Sequence, residues 1–503
     1  MLVDSKILWH READVIVVGF GGAGAVAAMT AHDEGASTLV LEKQPAAAHM
    51  NNTSMSGGYF ITINDVAGAV DYMGAINRVD GQVSWTDEAT IRAFAEYSQE
   101  NSRWLESLGA HLTLRRKGGE HRNVPRSESI DVYGVCGMGY RLMDLLKDGV
   151  RSRGIEALFE TAACRVLTNE CNQVIGIRGR NNGEELNIRA SRAVVMAPGG
   201  FEFDEEMKLN HLKVYPTYFY GSPANTGDGV RMVQEIGASF WHMNCCAARM
   251  VAKFPDFPIA FGLDLGGRGS FLRFERYAHE GEPCAFIIVD KHGRRFTNDG
   301  EMRQHTVYYE LAVYDSQRLD YPRVPSYWIF DANRMKRGPL PFGHAGPTGA
   351  HRAYKWSRDN SVELAKGWIV QGDTVAGLAK KLDMSPDILQ DTIATYNSYC
   401  DQGVDPEFHR PPRHMKPLGV PPFFGVKLWP GGPNTQGGPR RNARAQVLDG
   451  DGLPIPRLYA AGEFGSIFGM LYPAAGGNIA ECVAFGRIAG ENAARESSIA
   501  WQG

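Results

Sequence analysis

Three glycines and one acidic residue near the amino terminus have the spacing that binds the phosphates and ribose of a dinucleotide. Gly19, Gly21 and Gly24 follow the apolar run Asp14–Val18, and Glu42 ends the next apolar run. Gly19 allows a tight turn, Gly21 lets backbone N–H groups approach a pyrophosphate, and Gly24 lets the following helix pack on the strand. The helix N-terminus presents its positive end to the phosphates. A carboxylate at position 42 can accept hydrogen bonds from ribose hydroxyls, so the order predicts a dinucleotide-binding βαβ unit.

Further glycine-rich and polar loops are candidates to contact the same ligand. They are Asn51–Gly58, Ala193–Gly200, Pro223–Gly229, Gly462-Glu463 and Gly469–Gly477. Ala193–Gly200 is a buried strand ending in a glycine turn, which indicates a second crossing of the cofactor domain. Asn225 and Asp228 are predicted turn and cap residues of the next helix. A helix is predicted from Asn478 to Ala494, and its positive end could stabilise the charge that accumulates on a reduced flavin.

The pattern and composition of the residues divide the chain into three stretches. Residues 1–242 and 419–503 show clean strand and helix patterns, whereas residues 243–418 are rich in aromatics, prolines and short segments. We therefore expect an α/β cofactor-binding domain of Rossmann type, interrupted by an inserted α+β capping domain. Helices are also predicted at Asp87–Leu108, Arg141–Arg153, Thr374–Leu382 and Asp387–Tyr399.

Composition excludes several classes of function. The 503 residues carry a formal net charge of −4, with 43% hydrophobic and 22% charged residues, which is ordinary for a globular protein. No basic tract stands out, which argues against nucleic-acid binding. None of the eight cysteines forms a Cys-x-x-Cys pair, so neither a zinc site nor a dithiol motif is indicated. The amino terminus has no signal-peptide pattern and no apolar run reaches the length of a membrane span, so we expect a cytoplasmic protein.

Taken in order, the motifs resemble those of the FAD-dependent fumarate reductase and 3-ketosteroid dehydrogenase superfamily. The series comprises the Gly19 loop with Glu42, Thr53–Gly58, Ala193–Gly200, Asn225–Gly229, Gly293–Asn298, Thr435–Gly438 and Gly462-Glu463. The resemblance covers roughly Asp14 to Ala494. It implies an FAD-binding domain with an inserted cap and an active site between them, over the flavin. The residues implied to bind FAD are Gly19, Gly21, Gly22, Ala23, Gly24, Glu42, Lys43, Asn52, Thr53, Ser56, Gly57, Gly58, Gly199, Asn225, Asp228, Gly462, Glu463, Gly477, Asn478 and Ile479.

Residues that differ within these motifs select a branch of the superfamily. Asn52 stands where the membrane succinate and fumarate enzymes have the histidine that holds FAD covalently, so we expect non-covalent FAD. Soluble fumarate reductases clamp the dicarboxylate with a histidine and an arginine. The matching residues here are Asn434 and Ala474. Because carboxylates bind best to charge-assisted, bidentate donors, this loss argues against fumarate or succinate as substrate.

The loop Tyr472–Gly476 instead resembles the Tyr-Pro-Gly-Ala-Gly stretch of the 3-ketosteroid Δ1-dehydrogenases. In that family the tyrosine hydroxyl and the last glycine N–H hold the keto oxygen of the substrate, as in an oxyanion hole. The resemblance therefore implies that Tyr472 and Gly476 bind a carbonyl while the carbon β to it gives hydride to flavin N5.

An arginine and two tyrosines are candidates to handle the proton. Arg303 falls where fumarate reductases have the arginine that protonates the product, although the steroid enzymes have a tyrosine near that place. An arginine is a poor base because its pKa exceeds ~12. Tyr133 and Tyr140 lie in the region that supplies a tyrosine base in the steroid family. Candidate pocket histidines are His242, His292, His305, His344 and His351.

Two directions of catalysis stay open at this point. The first is dehydrogenation of a 3-ketosteroid or a smaller cyclic ketone, with electrons passed to an external acceptor. The alternative is an ene-reductase that takes an enone or related alkene and electrons from an external donor, with Arg303 as proton donor. A non-catalytic FAD protein and a nicotinamide-only dehydrogenase are further alternatives, and a flavin spectrum of the purified protein would exclude the latter.

Overall fold

The computed structural model describes residues 7–265, 283–300, 305–343, 346–349 and 352–499. These divide into two compact units, which we describe separately. Unit 1 comprises Met1–Leu212, Ser222–Ala247 and Asn434–Gly503, and unit 2 comprises Lys213–Gly221 and Ala248–Pro433.

The helices of the described residues are listed here in chain order. They are α1 (Gly22–Asp33), α2 (Asn52–Met55), α3 (Val66–Ile76), α4 (Glu88–Ser98), α5 (Asn101–Ser107), α6 (Met138–Ser152), α7 (Glu205–His211), α8 (Asp228–Gln234), α9 (Val307–Leu311), α10 (Ala332–Met335), α11 (Ser361–Ala365), α12 (Val375–Lys381), α13 (Pro386–Gln402) and α14 (Gly477–Ala494).

The strands follow in the same order. They are β1 (Arg11–Val18), β2 (Thr38–Leu41), β3 (Tyr59–Ile63), β4 (Arg78–Val79), β5 (Val83–Ser84), β6 (Leu112–Lys117), β7 (Ile130–Val135), β8 (Glu156–Leu158), β9 (Thr161–Thr168), β10 (Val174–Asn181), β11 (Glu184–Met196), β12 (Tyr218–Phe219), β13 (Phe240–Trp241), β14 (Cys246–Ala252), β15 (Phe261–Gly262), β16 (Phe286–Val289), β17 (Ser326–Asp331), β18 (Val370–Gly372), β19 (Phe423–Thr435), β20 (Gly438–Pro439), β21 (Gln446–Leu448) and β22 (Pro454–Ala460).

Unit 1 is built on an eight-stranded sheet whose main path runs β21-β22-β11-β1-β2-β8. The strands β22, β11, β1, β2 and β8 are parallel, while β9 and β10 extend β11 as antiparallel ribbons. Residues Val15–Val18 of β1 are buried on both faces, which explains their unbroken apolar run. The carboxyl ends of β1, β2, β11 and β22 meet at one edge, where α/β sheets bind ligands.

Glycines bring α1 and α14 of unit 1 into close contact. A Cβ on Gly486 would lie 2.8 Å from Cβ of Val26, and one on Gly490 would lie 2.6 Å from the carbonyl oxygen of Ala27. The turn before α1 is equally tight, because a Cβ on Gly24 would lie 1.9 Å from the carbonyl oxygen of Gly19. The prediction that Gly24 serves close helix packing therefore has a geometric basis.

Unit 2 contains a seven-stranded sheet with the path β15-β14-β19-β17-β16, and β12 and β18 also pair with β19. Helices α12 and α13 pack on it through a core that includes Leu378 and Leu389. Asp299 is buried and accepts hydrogen bonds from Arg410 at 2.8 Å and Arg295 at 3.3 Å. Since buried charges are expensive without partners, this cluster fixes the chain around position 299.

In the part of the chain that the structure describes, every helix is too short or too polar to cross a bilayer.

Candidate active site

A cleft of roughly 830 Å³, partly open to solvent, lies in unit 1 at the carboxyl edge of the parallel sheet. Its walls include the residue that directly follows each of four strands: Gly19, Glu42, Ala197 and Ala461. The predicted cofactor residues that line it are Gly19, Gly21, Gly22, Ala23, Glu42, Lys43, Asn52, Thr53, Gly199, Asn225, Asp228, Gly462 and Glu463. The structure thus brings together residues that are widely separated in the sequence.

The turn between β1 and α1 forms one wall of the cleft. Gly19 has a φ of +99°, and a Cβ there would lie 2.3 Å from the carbonyl oxygen of Ala197, so only glycine fits. At Gly21 a Cβ would meet nothing within 4 Å, which leaves its face open to a ligand. The N–H of Gly22 donates to Oγ1 of Thr53 at 3.1 Å and ties the Asn51–Gly58 loop to the start of α1. The wall combines exposed backbone with the positive end of a 12-residue helix.

Glu42 is oriented by hydrogen bonds from its surroundings. Its Oε1 accepts from the N–H of Gln44 at 2.8 Å, and its Oε2 accepts from the N–H of Phe20 at 3.1 Å and lies 3.4 Å from Nε2 of His49. Burial alone raises the pKa of the Glu42 carboxyl, but the hydrogen bonds from His49, Gln44 and Phe20 and the charge on His49 outweigh it, and the pKa falls below its ordinary value. An ionised carboxylate at this place is suited to accept hydrogen bonds from ribose hydroxyls.

Lys43 and Asp228 form an ion pair in the wall of the cleft. Nζ of Lys43 donates to Oδ2 of Asp228 at 2.6 Å and to Oγ1 of Thr226 at 2.7 Å. The expectation that Asp228 caps α8 is wrong, because the N-cap is Gly227, with a φ of +70° and no side-chain cap. Asp228 instead engages Lys43 within the cleft.

Two carboxyl groups, those of Glu202 and Glu463, meet beside Asn52 and Asn225 of the cleft wall. Asn52 Nδ2 donates to Glu463 Oε2 at 2.7 Å and to Glu202 Oε1 at 2.9 Å, and Asn225 Nδ2 lies 3.3 Å from an oxygen of each. Burial, and next the charge of Glu202, raise the pKa of Glu463 well above its ordinary value, so the pair holds a proton. Sequence reasoning missed Glu202. The signal available was an acid two residues after the Gly199-Gly200 turn, at the end of a buried strand.

The loop that carries Tyr472 closes onto the start of α14. The Tyr472 side chain is 7% exposed, and its hydroxyl oxygen accepts a hydrogen bond from the N–H of Asn478 at 2.6 Å. Two side chains hold the backbone of the loop in place. Tyr72 donates to the carbonyl of Pro473 at 2.8 Å, and His121 donates to the carbonyl of Tyr472 at 3.1 Å. The phenol therefore stands directly over a helix N-terminus.

Gly476 is the N-cap of α14 and needs to be glycine. Its φ is +91°, and a Cβ there would lie 2.5 Å from the backbone nitrogen of Phe60. The predicted residues Ser56, Gly57, Gly58, Gly477, Asn478 and Ile479 lie outside the walls of the cleft described above. Ser56 instead shapes its own turn, accepting from the N–H of Gly58 at 3.1 Å.

The other catalytic and pocket candidates from the sequence fall into two groups: those outside the described residues and those with contacts of their own. Arg303, His344 and His351 lie outside the described residues. His242 of unit 1 contacts two backbone carbonyls, with Nδ1 at 2.7 Å from Ser466 and Nε2 at 2.9 Å from Trp85, which is a structural arrangement. His305 is buried in unit 2. Tyr133 stacks on Phe60 with ring centroids 5.9 Å apart, and Tyr140 is largely exposed.

With this geometry established, comparison with known proteins decides the family. The sequence pattern of the family described as an FAD binding domain matches residues 14–479. The chain belongs to this family.

The flavoprotein is similar to enzymes of two activities. It is 29% identical to the probable fumarate reductase Ifc3 of Shewanella frigidimarina, over 97% of this chain and 76% of that protein. It is 27% identical to the 3-oxosteroid 1-dehydrogenase of Mycobacterium tuberculosis, over 95% of this chain and 98% of that protein. It is an FAD-dependent oxidoreductase of the fumarate reductase and 3-ketosteroid dehydrogenase superfamily, which confirms the family predicted from the ordered motifs.

Solved structures confirm the predicted mixed α/β fold. The structure of 3-ketosteroid Δ1-dehydrogenase from Sterolibacterium denitrificans, in complex with 1,4-androstadiene-3,17-dione, matches with a TM-score of 0.81 at 22% identity, over 96% of this chain and 99% of that chain. The open conformation of a flavocytochrome c3 fumarate reductase matches with a TM-score of 0.71 at 26% identity, over 97% of this chain and 79% of that chain. The residues in the cleft fit FAD, since an open glycine turn, a helix N-terminus and an ionised Glu42 occur together.

Proposed function

We propose that the flavoprotein dehydrogenates a ketone between its α and β carbons, and that its substrate is a 3-ketosteroid or a smaller cyclic ketone. Bound FAD would supply the two-electron acceptor for this reaction, and an external acceptor would then receive the electrons. The proposal includes non-covalent FAD, because Asn52 occupies the place of the histidine that forms a covalent link in some relatives. The Asn52 side chain is engaged instead by the carboxyl pair Glu202 and Glu463.

One observation carries the proposal, namely the contact between the Tyr472 hydroxyl and the N-terminus of α14. By accepting the N–H of Asn478, the phenolic oxygen loses electron density, and its own O–H becomes a stronger donor. The positive end of α14 favours negative charge at the same place. A carbonyl oxygen that gains charge as the α-proton leaves would be stabilised by the Tyr472 hydroxyl and the N–H of Gly476.

The neutral residues around this loop support a ketone over a carboxylate. Asn434 and Ala474 stand where the soluble fumarate reductases have a histidine and an arginine, and both are buried. Asn434 is occupied by a hydrogen bond from Asn478 Nδ2 at 2.7 Å. A dicarboxylate placed here would meet no charged donor at positions 434 and 474 to compensate for its desolvation.

The reverse reaction is the second candidate, with Arg303 as proton donor to an enone or related alkene. The names of two relatives favour it: the probable fumarate reductase Ifc3 and the digoxin reductase of Eggerthella lenta, which is 27% identical over 97% of this chain and 88% of that protein.

A flavin assay tests the two directions against each other. The purified holoprotein is mixed anaerobically with a panel of saturated cyclic ketones, and the absorbance of oxidised flavin is followed. Bleaching by a ketone supports dehydrogenation. Reoxidation of the reduced holoprotein by an enone, without ketone-driven bleaching, supports reduction and overturns the first proposal.

A further inference from the structure

Three amide side chains form a hydrogen-bonded row beside the N-terminus of α14, which we call the amide relay. Gln436 Nε2 donates to Asn478 Oδ1 at 3.2 Å, and Asn478 Nδ2 donates to Asn434 Oδ1 at 2.7 Å. Asn434 Nδ2 then donates to the carbonyl oxygen of Thr435 at 2.7 Å. All four residues belong to unit 1.

The direction of the amide relay follows from where it ends. A backbone carbonyl can only accept, so Asn434 must turn its NH2 group to Thr435 and its oxygen to Asn478. Asn478 must therefore present its own NH2 group to Asn434, which leaves its oxygen facing Gln436. Flipping any one amide would set two donors or two acceptors against each other.

In this orientation one acceptor atom, Oε1 of Gln436, is left without a donor within the amide relay. The residue is 1% exposed, and Oε1 has no hydrogen-bond partner among the residues that the structure describes. Its backbone is fixed on both sides, because its N–H donates to the carbonyl of Cys245 at 3.0 Å and its carbonyl accepts from Ser466 at 3.0 Å. A buried acceptor without a donor is unfavourable, so this atom indicates a place for an N–H or O–H group of a ligand.

We propose that Gln436 Oε1 accepts a hydrogen bond from the N3–H of the FAD isoalloxazine ring. The ring edge at N3 offers a neutral donor flanked by two carbonyl oxygens. The protein offers the complement, an orphan acceptor on Gln436 next to a helix N-terminus that favours carbonyl oxygens. A cationic donor would be disfavoured by the same helix end. The proposal rests on FAD binding alone and is independent of the ketone chemistry.

Methylation of the flavin at N3 provides a direct test. The apoprotein is titrated with FAD and with 3-methyl-FAD, and the dissociation constants are obtained from flavin fluorescence. We expect the wild type to bind 3-methyl-FAD about tenfold more weakly, the loss that corresponds to one unmet buried hydrogen bond. We expect Gln436→Met to bind FAD about tenfold more weakly than the wild type and to bind both flavins equally well.

Tyr459→Phe is the matched control, because it removes a buried hydrogen bond of the same unit, from the Tyr459 hydroxyl to Glu496 at 2.6 Å, and leaves the amide relay intact. It should keep the tenfold preference for FAD. The comparison of FAD with 3-methyl-FAD on the wild type tests the proposal even if Gln436→Met does not fold. Equal binding of the two flavins by the wild type overturns the proposal, and so does an undiminished preference in Gln436→Met.

Discussion

Replacing Tyr472 by phenylalanine removes a single oxygen atom from the loop over α14. The ring itself should stay in place, since it packs edge-on against Phe468 with centroids 5.4 Å apart, a contact that phenylalanine retains. If the hydroxyl stabilises charge on a substrate carbonyl, its loss should slow flavin reduction about a hundredfold, or ~2.7 kcal/mol in the barrier. FAD should remain bound, because Tyr472 does not line the cleft at the sheet edge.

The same substitution also removes the acceptor for the N–H of Asn478. A lost hydrogen bond at a helix N-terminus costs about 1 kcal/mol in the free energy of unfolding. This is smaller than the expected change in the barrier, so a stability effect alone cannot account for a hundredfold loss in a folded, FAD-loaded variant. The melting temperature should fall by no more than about 4 °C.

Anaerobic stopped-flow reduction of the flavin by a saturating ketone gives the rate. Tyr459→Phe is the matched control, because Tyr459 is a buried tyrosine of the same unit whose hydroxyl donates to Glu496 at 2.6 Å, away from the cleft. It should reduce stability and leave the rate unchanged. A Tyr472→Phe rate within twofold of the wild type, or an equal loss in Tyr459→Phe, would refute the carbonyl-binding role.

Other perturbations address the cofactor site. Glu42→Ala should weaken FAD binding, measured by flavin retained after gel filtration, and a variant that purifies fully loaded would contradict the ribose contact. The pKa of Glu463 is raised in the folded protein. Its contribution to the free energy of unfolding is therefore complete below its ordinary pKa of 4.5 and decreases as the pH rises above that value. Glu463→Gln should therefore gain in melting temperature relative to the wild type between about pH 5 and 8, whereas a constant difference over that range would contradict the shared proton. Gly490→Val should destabilise unit 1 by several kcal/mol, about 2–5, because its side chain would meet the backbone of α1; normal denaturant unfolding would disprove that packing argument.

The sequence was most informative where function depends on neighbouring residues. The turn from Gly19 to Gly24 and the acid at Glu42 belong to one βαβ unit, so local spacing was enough to predict the wall of the cleft, whereas the family followed from the order of motifs along the whole chain. Glu202 could not be found in this way, because its role depends on Glu463 and Asn52 from distant parts of the chain. The amide relay has the same character, and only the fold reveals that Gln436 faces Asn478.

The glycine contacts between α1 and α14 have a mechanical consequence. Helix α1 begins at the glycine turn of the cleft and α14 begins beneath Tyr472, and the backbones of the two helices come close near Ala27 and Gly490. Because the glycines let the two helices pack this closely, neither helix can slide without displacing the other. The spacing of the two helix N-termini is thus fixed by the packing of α1 on α14, and an elongated ligand that contacts both must match that spacing.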